Sequence, residues 1–161
     1  MTTYTARAID PAVLKELRVS DDAGRPMRPS VDEEGGAPLR CCLRRSVTGE
    51  RIALVSYAPL RRWAVETGAD PGAYDEQGPV FIHADDCAGP ELSGYPFPGA
   101  HRTVRRYSAE GRILGGRLVP AVVPEAFVDA FADPAVALVQ VRAVEYGCFL
   151  YEVRRPGNPT A

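Results

Sequence analysis

Lysine is nearly missing from this chain: Lys15 is the only one, against 18 arginines. Histidine is scarce too, with only His83 and His101. No apolar run approaches the roughly 20 residues that a membrane-spanning helix needs, so no membrane partner is expected. There is no Cys-x-x-Cys pair, no Gly-x-Ser-x-Gly elbow and no glycine-rich phosphate loop; Gly115-Gly116 lacks both the spacing and the lysine. Neither sign of charge dominates. The 19 basic and 21 acidic residues leave a net charge of −2. That excludes a nucleic-acid binder driven by bulk charge, and equally an acidic solvating tail. The N-terminal stretch lacks a basic region followed by an apolar one, so no signal peptide and a cytoplasmic location are expected. The four cysteines, Cys41, Cys42, Cys87 and Cys148, are then expected as reduced thiols.

What is present is an ordinary globular composition, 45 % hydrophobic and 25 % charged over 161 residues. A chain of this size buries about 69 % of its unfolded surface, enough for a core without metal or disulfide staples. One domain over residues 1–161 is expected, with long loops at 20–38 and 87–101 and a flexible tail at 156–161. The excess of arginine over lysine, with abundant Ala, Gly and Pro, is the bias of a GC-rich bacterial genome.

Periodicity gives the elements. Residues 4–9 alternate weakly, as a short strand does. Asp10-Pro11 has the form of an N-cap followed by proline at N1, opening a helix to about Arg18. Leu39–Arg45 and Arg51–Tyr57 read as two strands of one hairpin. Residues 60–68 read as a short helix ending at Gly68. Strands follow at Pro79–Ala84, Arg102–Tyr107 and Arg112–Val119. Pro124–Phe131 is a helix, with Phe127 and Phe131 spaced i,i+4. Val136–Val144 and Cys148–Arg154 close the chain as a hairpin. A three-residue turn at 145–147 would set Gln140 opposite Glu152 and Arg142 opposite Leu150, with Val141, Phe149 and Tyr151 on an apolar face. About seven strands in hairpin pairs with two or three short helices predict an α+β fold around an antiparallel or mixed sheet.

The densest polar chemistry lies between Tyr74 and Cys87. A strand delivers His83 near its end, and Asp85, Asp86 and Cys87 follow. Glu76 would orient His83, and His83 would activate Cys87 or Cys148 as a nucleophile. Arg142, on the same face of its hairpin as Cys148, would stabilise a thiolate and help bind a ligand, with Tyr57 and Glu76 as further ligand-binding candidates. The alternative is that His83 is a satisfied core histidine and the cysteines are small buried hydrophobes. Metal binding is a weaker reading. Cys42, His83, Cys87 and Cys148 would make a zinc-type set, but zinc ligands usually come in close pairs. No cofactor and no stoichiometric zinc are expected on this spacing. Cys41 is assigned to the core side, because adjacent strand residues point to opposite faces.

Several segments together resemble a known family. They are Leu39–Arg44 with Gly49-Glu50, Leu54–Tyr57, the stretch from Tyr74 through Glu76 and Gly78–Ala84 to Cys87, and Val139–Arg142 with Gly147–Phe149. On these the chain resembles a bacterial family known only as domain of unknown function 1203, over about residues 4–155. The resemblance implies a single-domain bacterial protein and carries over no reaction and no catalytic residue. Three function classes stand: a small-molecule-binding protein or enzyme with a thiol and imidazole pocket, a protein with structural zinc, and an interaction module that binds a protein partner without chemistry.

Overall fold

The computed structural model describes residues 2–157. The expected tail therefore falls largely on residues outside those described. The described chain contains α1 (Pro11–Leu17), β1 (Pro29–Val31), β2 (Arg51–Tyr57), α2 (Pro59–Thr67), β3 (Gly78–His83), β4 (Arg102–Ser108), β5 (Ile113–Val119), α3 (Pro124–Phe131), β6 (Val136–Ala143) and β7 (Phe149–Arg154). A single 3-10 turn spans Gly72–Tyr74. Every strand pairing is antiparallel, which makes the fold α+β with seven strands and three α-helices. The chain divides into two compact units. One takes Met1–Arg7, Pro59–Glu76 and Pro98–Ala161; the other takes Ala8–Ala58 and Gln77–Phe97.

The first unit is built on a four-stranded sheet in the order β5-β4-β6-β7. α2 covers it through Leu60 and Trp63, which pack on Tyr107 and Leu138. α3 buries Phe127 and Phe131, and the Tyr4 ring stacks on Phe131 with centroids 5.4 Å apart. Its proline at N1 and the Asp133-Pro134 stop set its limits as the sequence predicts. The terminal hairpin also matches: Val141, Phe149 and Tyr151 are buried and Gln140 faces Glu152. Its register then shifts at a bulge between Val141 and Arg142, so Arg142 faces Phe149 and not Leu150. One extra residue on β7 accounts for the difference. The strand expected at 4–9 reduces to one bridge, with the Arg7 N–H donating to the Glu152 carbonyl at 2.9 Å.

The second unit carries a three-stranded sheet in the order β1-β2-β3. α1 enters it capped as expected: the Asp10 carboxylate accepts the Ala12 N–H at 2.8 Å, and Leu14 and Leu17 are buried. The 20–38 stretch is mostly solvent-facing but includes β1, which adds to the edge of β2. Asp21 ties this stretch down, accepting the Ser56 N–H at 3.0 Å and the Arg25 N–H at 2.9 Å.

The largest departure from the sequence reading is at Leu39–Arg45, which is a tight turn and no strand. Leu39 lies beside Phe81 in a parallel bridge, and the Arg40 N–H donates to the Phe81 carbonyl at 2.9 Å. The chain then reverses. The Leu43 N–H donates to the Leu39 carbonyl and the Leu39 N–H to the Arg44 carbonyl, both at 2.9 Å. Closing this loop puts Leu43 in the left-handed region at φ 59°. A non-glycine residue there costs of order 1–2 kcal/mol, and the burial of the Leu43 side chain offsets it. The alternation of Leu39, Cys41 and Leu43 that suggested a strand is misleading because the turn buries every residue from 39 to 43. β2 accordingly pairs with β3 and β1 instead of with 39–45.

Candidate metal centre

Parallel pairing of Leu39 with Phe81 advances both chains together, so Cys41 arrives beside His83. The reversal at Leu43 then brings Cys42 to the same side as Cys41, which a strand would forbid. The His83 Nδ1 atom lies 3.3 Å from the Cys41 Sγ and 3.9 Å from the Cys42 Sγ, and the two sulfurs are 4.0 Å apart. Cys87, four residues beyond His83 on the segment that leaves β3, completes the group. The four ligand atoms of Cys41, Cys42, His83 and Cys87 all lie within 4.8 Å of one another. Among the described residues this is the group of three or more histidine, cysteine and acidic side chains with metal-ligating spacing.

The imidazole is oriented from behind. β2 and β3 pair with Ile52 opposite His83, so the residue two before Ile52 falls diagonally beside the histidine. That residue is Glu50, whose Oε2 lies 2.7 Å from the His83 Nε2. A carboxylate only accepts, so Nε2 donates to Glu50 and Nδ1 is the nitrogen turned to the thiols. Glu50 is in turn held by Arg44, with two parallel N–H bonds at 3.0 and 2.9 Å, and by the Val47 N–H at 2.6 Å. The guanidinium beside it, then the Val47 N–H, hold its carboxyl well below the usual carboxylate range, with His83 adding to the effect. At the other end of the residue, the Arg18 side chain donates to the His83 carbonyl at 3.1 Å.

The sulfurs are also served by donors. The His83 backbone N–H points at the Cys41 Sγ at 3.2 Å. The Cys41 S–H directed at Cys42 pushes the Cys41 thiol up and pulls the Cys42 thiol down. Burial opposes ionisation of both, while the Arg44 N–H and the nearby His83 favour it at Cys42. The geometry of the pair therefore favours ionisation at Cys42 over Cys41.

Cys41 is 2 % exposed and Cys42 5 %. Cys42, His83 and Cys87, but not Cys41, line an open cleft of about 630 Å³ whose rim carries Arg51, Asp85 and Glu91. Arg51 pairs with Asp85 at 3.0 Å.

The sequence-selected residues divide between the two units. His83, Cys87 and Cys42 are brought together in the second. Tyr57 belongs to that unit as well, buried in β2 and not among the residues of the cleft. Cys148, Arg142 and Glu76 belong to the first. There the Arg142 Nε donates to the Gly147 carbonyl at 3.0 Å, and Glu76 pairs with Arg105 at 2.7 Å and Arg142 at 3.6 Å. The place expected for Glu76 behind His83 is taken by Glu50, and the place of Cys148 in the four-ligand set by Cys41. Arg44, Glu50 and Cys41 were missed as site residues because only the tertiary pairing of β2 and of Leu39 with β3 brings them to His83.

The family model for the protein of unknown function DUF1203 matches residues 36–155, and the chain belongs to that family. All four clustered ligands fall inside the matched span. No curated protein and no solved structure matches the chain. Among the described residues no helix is long and apolar enough to cross a membrane.

Proposed function

We propose that this protein binds one zinc ion through Cys41, Cys42, His83 and Cys87, and that the ion serves structure by joining the 39–44 turn, the end of β3 and the segment after it. The observation that carries the reading is the convergence of four ligand atoms within 4.8 Å around an imidazole whose far nitrogen is fixed by Glu50. A tetrahedral zinc site with sulfur ligands has ligand–ligand edges of about 3.8 Å. The 3.3, 3.9 and 4.0 Å separations bracket that edge. Three thiolates and a neutral imidazole are a zinc donor set, and four protein ligands leave no open position for substrate. The carboxylate–histidine arrangement is the usual outer support of such a site. Three thiolates on a divalent ion leave one negative charge, which Arg44 faces. The reading departs from the expectation of no stoichiometric zinc, which rests on ligand spacing, and from the assignment of Cys41 to the core side. It also favours a reducing compartment such as the cytoplasm, where the thiols stay available.

A second reading has its own support. The 630 Å³ cleft shared by Cys42, His83 and Cys87 favours a small-molecule site in which thiol and imidazole act on a ligand. Elemental analysis of the full chain after exhaustive dialysis separates the two. About one zinc per chain is expected, lost in Cys41→Ser, because structural zinc is held tightly. A metal-free protein whose melting temperature does not respond to added zinc would leave the cleft reading.

A further inference from the structure

We infer that this centre is a thiol-oxidation site: a hydroperoxide entering the cleft oxidises Cys87 and Cys42 to a disulfide and expels the metal. The inference rests on the zinc reading above and adds the class of reagent that controls it. Three features of the molecule carry it. The cleft of about 630 Å³ opens onto Cys42 and Cys87 but not onto Cys41, so a small polar oxidant meets two sulfurs of the three. Those two sulfurs lie within 4.8 Å of each other. Cys87 sits on residues 84–97, which hold no helix or strand, so its sulfur can close the remaining distance, at most about 3 Å beyond a disulfide bond length. The competing pair is worse placed. A Cys41–Cys42 bond would have to close a small ring through a single planar peptide, inside a turn already holding Leu43 at positive φ.

The chemistry balances with the hydroperoxide as the oxidant. The Cys87 thiolate attacks the terminal oxygen of the hydroperoxide, the O–O bond breaks, and the departing oxygen leaves as hydroxide from hydrogen peroxide, or as alkoxide from an organic hydroperoxide, and takes a proton to become water or the alcohol. The Cys42 thiolate then attacks the sulfenic sulfur of Cys87, forming the S–S bond and releasing a second hydroxide that is protonated to water. Two thiolates give up two electrons and the peroxide accepts them. The zinc, left with Cys41 and His83, dissociates. A dithiol reductant and fresh zinc restore the starting state.

The test uses the full chain, first assayed for zinc and then treated with hydrogen peroxide. Released zinc is read with a chromogenic chelator, and residual thiols and cross-links by alkylation and peptide mass mapping. One zinc released for every two thiols lost, a linked peptide pair containing Cys42 and Cys87, and recovery with dithiothreitol plus zinc are the expected results. Cys148→Ser is expected to release zinc at the unchanged rate. Zinc retained at peroxide concentrations that oxidise Cys148, or a Cys41–Cys42 or Cys148 linkage in place of Cys42–Cys87, would overturn the inference and leave the zinc reading intact. A chain with no zinc before peroxide is added would instead remove the zinc reading, and this inference with it.

Discussion

The Nε2 atom of His83 lies 2.7 Å from the Oε2 of Glu50, and this contact decides which imidazole nitrogen faces the thiols. Glu50 is not free to wander, since Arg44 grips both of its oxygens at 3.0 and 2.9 Å. Outer supports of this kind are worth about 10–100-fold in metal affinity. Glu50→Gln is therefore expected to weaken zinc binding by about that factor without removing any ligand. Competition against a chelator of known affinity measures it. An unchanged affinity would mean that the carboxylate does not set the tautomer.

Leu43 provides a backbone test. Its side chain is buried at φ 59°, so truncation and relief of strain act in opposite directions. Leu43→Ala keeps the strain and loses the packing, costing about 2–5 kcal/mol. At an ordinary position glycine would cost about 1 kcal/mol more than alanine. Here it is expected to be no worse than alanine, because positive φ suits glycine. Urea unfolding of the two variants reads the order, and a glycine variant clearly less stable than the alanine one would contradict the turn geometry.

The thiols should fall into two classes. Cys148 belongs to the first unit, is half-buried, and is not a member of the four-ligand group. In zinc-loaded protein it is expected to react with a chromogenic disulfide reagent while the other three stay protected, and a chelator should then expose those three. Four thiols reacting at rates that ignore the chelator would sink the assignment.

Acid should act at Asp32. The Ser46 hydroxyl donates to its carboxylate, and the Gly35 and Glu34 N–H groups follow at 2.9 and 3.2 Å. These hydrogen bonds, that of Ser46 foremost, hold the Asp32 carboxyl below its usual range. A depressed folded value means that the stabilisation is present above the unfolded value and lost as pH falls through the folded one. Urea midpoints of the native chain are expected to fall below about pH 4, and those of Asp32→Asn to fall less. Parallel pH curves for the two proteins would assign the acid limb to other carboxylates.

Much of the fold could be read from local signals. Proline at N1 with Asp10 before it placed α1, and the Pro124 and Asp133-Pro134 pair bounded α3 within a residue. The face separation of the last hairpin gave the Gln140–Glu152 pairing, and only the bulge beyond Val141 escaped, since no residue type announces it. The site was half legible. His83 and Cys87 stood out as chemistry at a strand end, and Cys42 as a possible companion. Cys41 was lost because a buried turn and a buried strand show the same apolar alternation over so few residues. Glu50 was lost because its place depends on the β2–β3 register, a pairing between strands separated by all of α2 that nothing local specifies.

X-ray absorption at the zinc edge on the purified full chain reads the ligands of the ion themselves. About three sulfur neighbours near 2.3 Å and about one nitrogen near 2.0–2.1 Å are expected, with one sulfur replaced by oxygen in Cys87→Ser. A first shell of oxygen and nitrogen alone, or a zinc shell untouched by substitution of Cys41, Cys42 or Cys87, would contradict the four-ligand site.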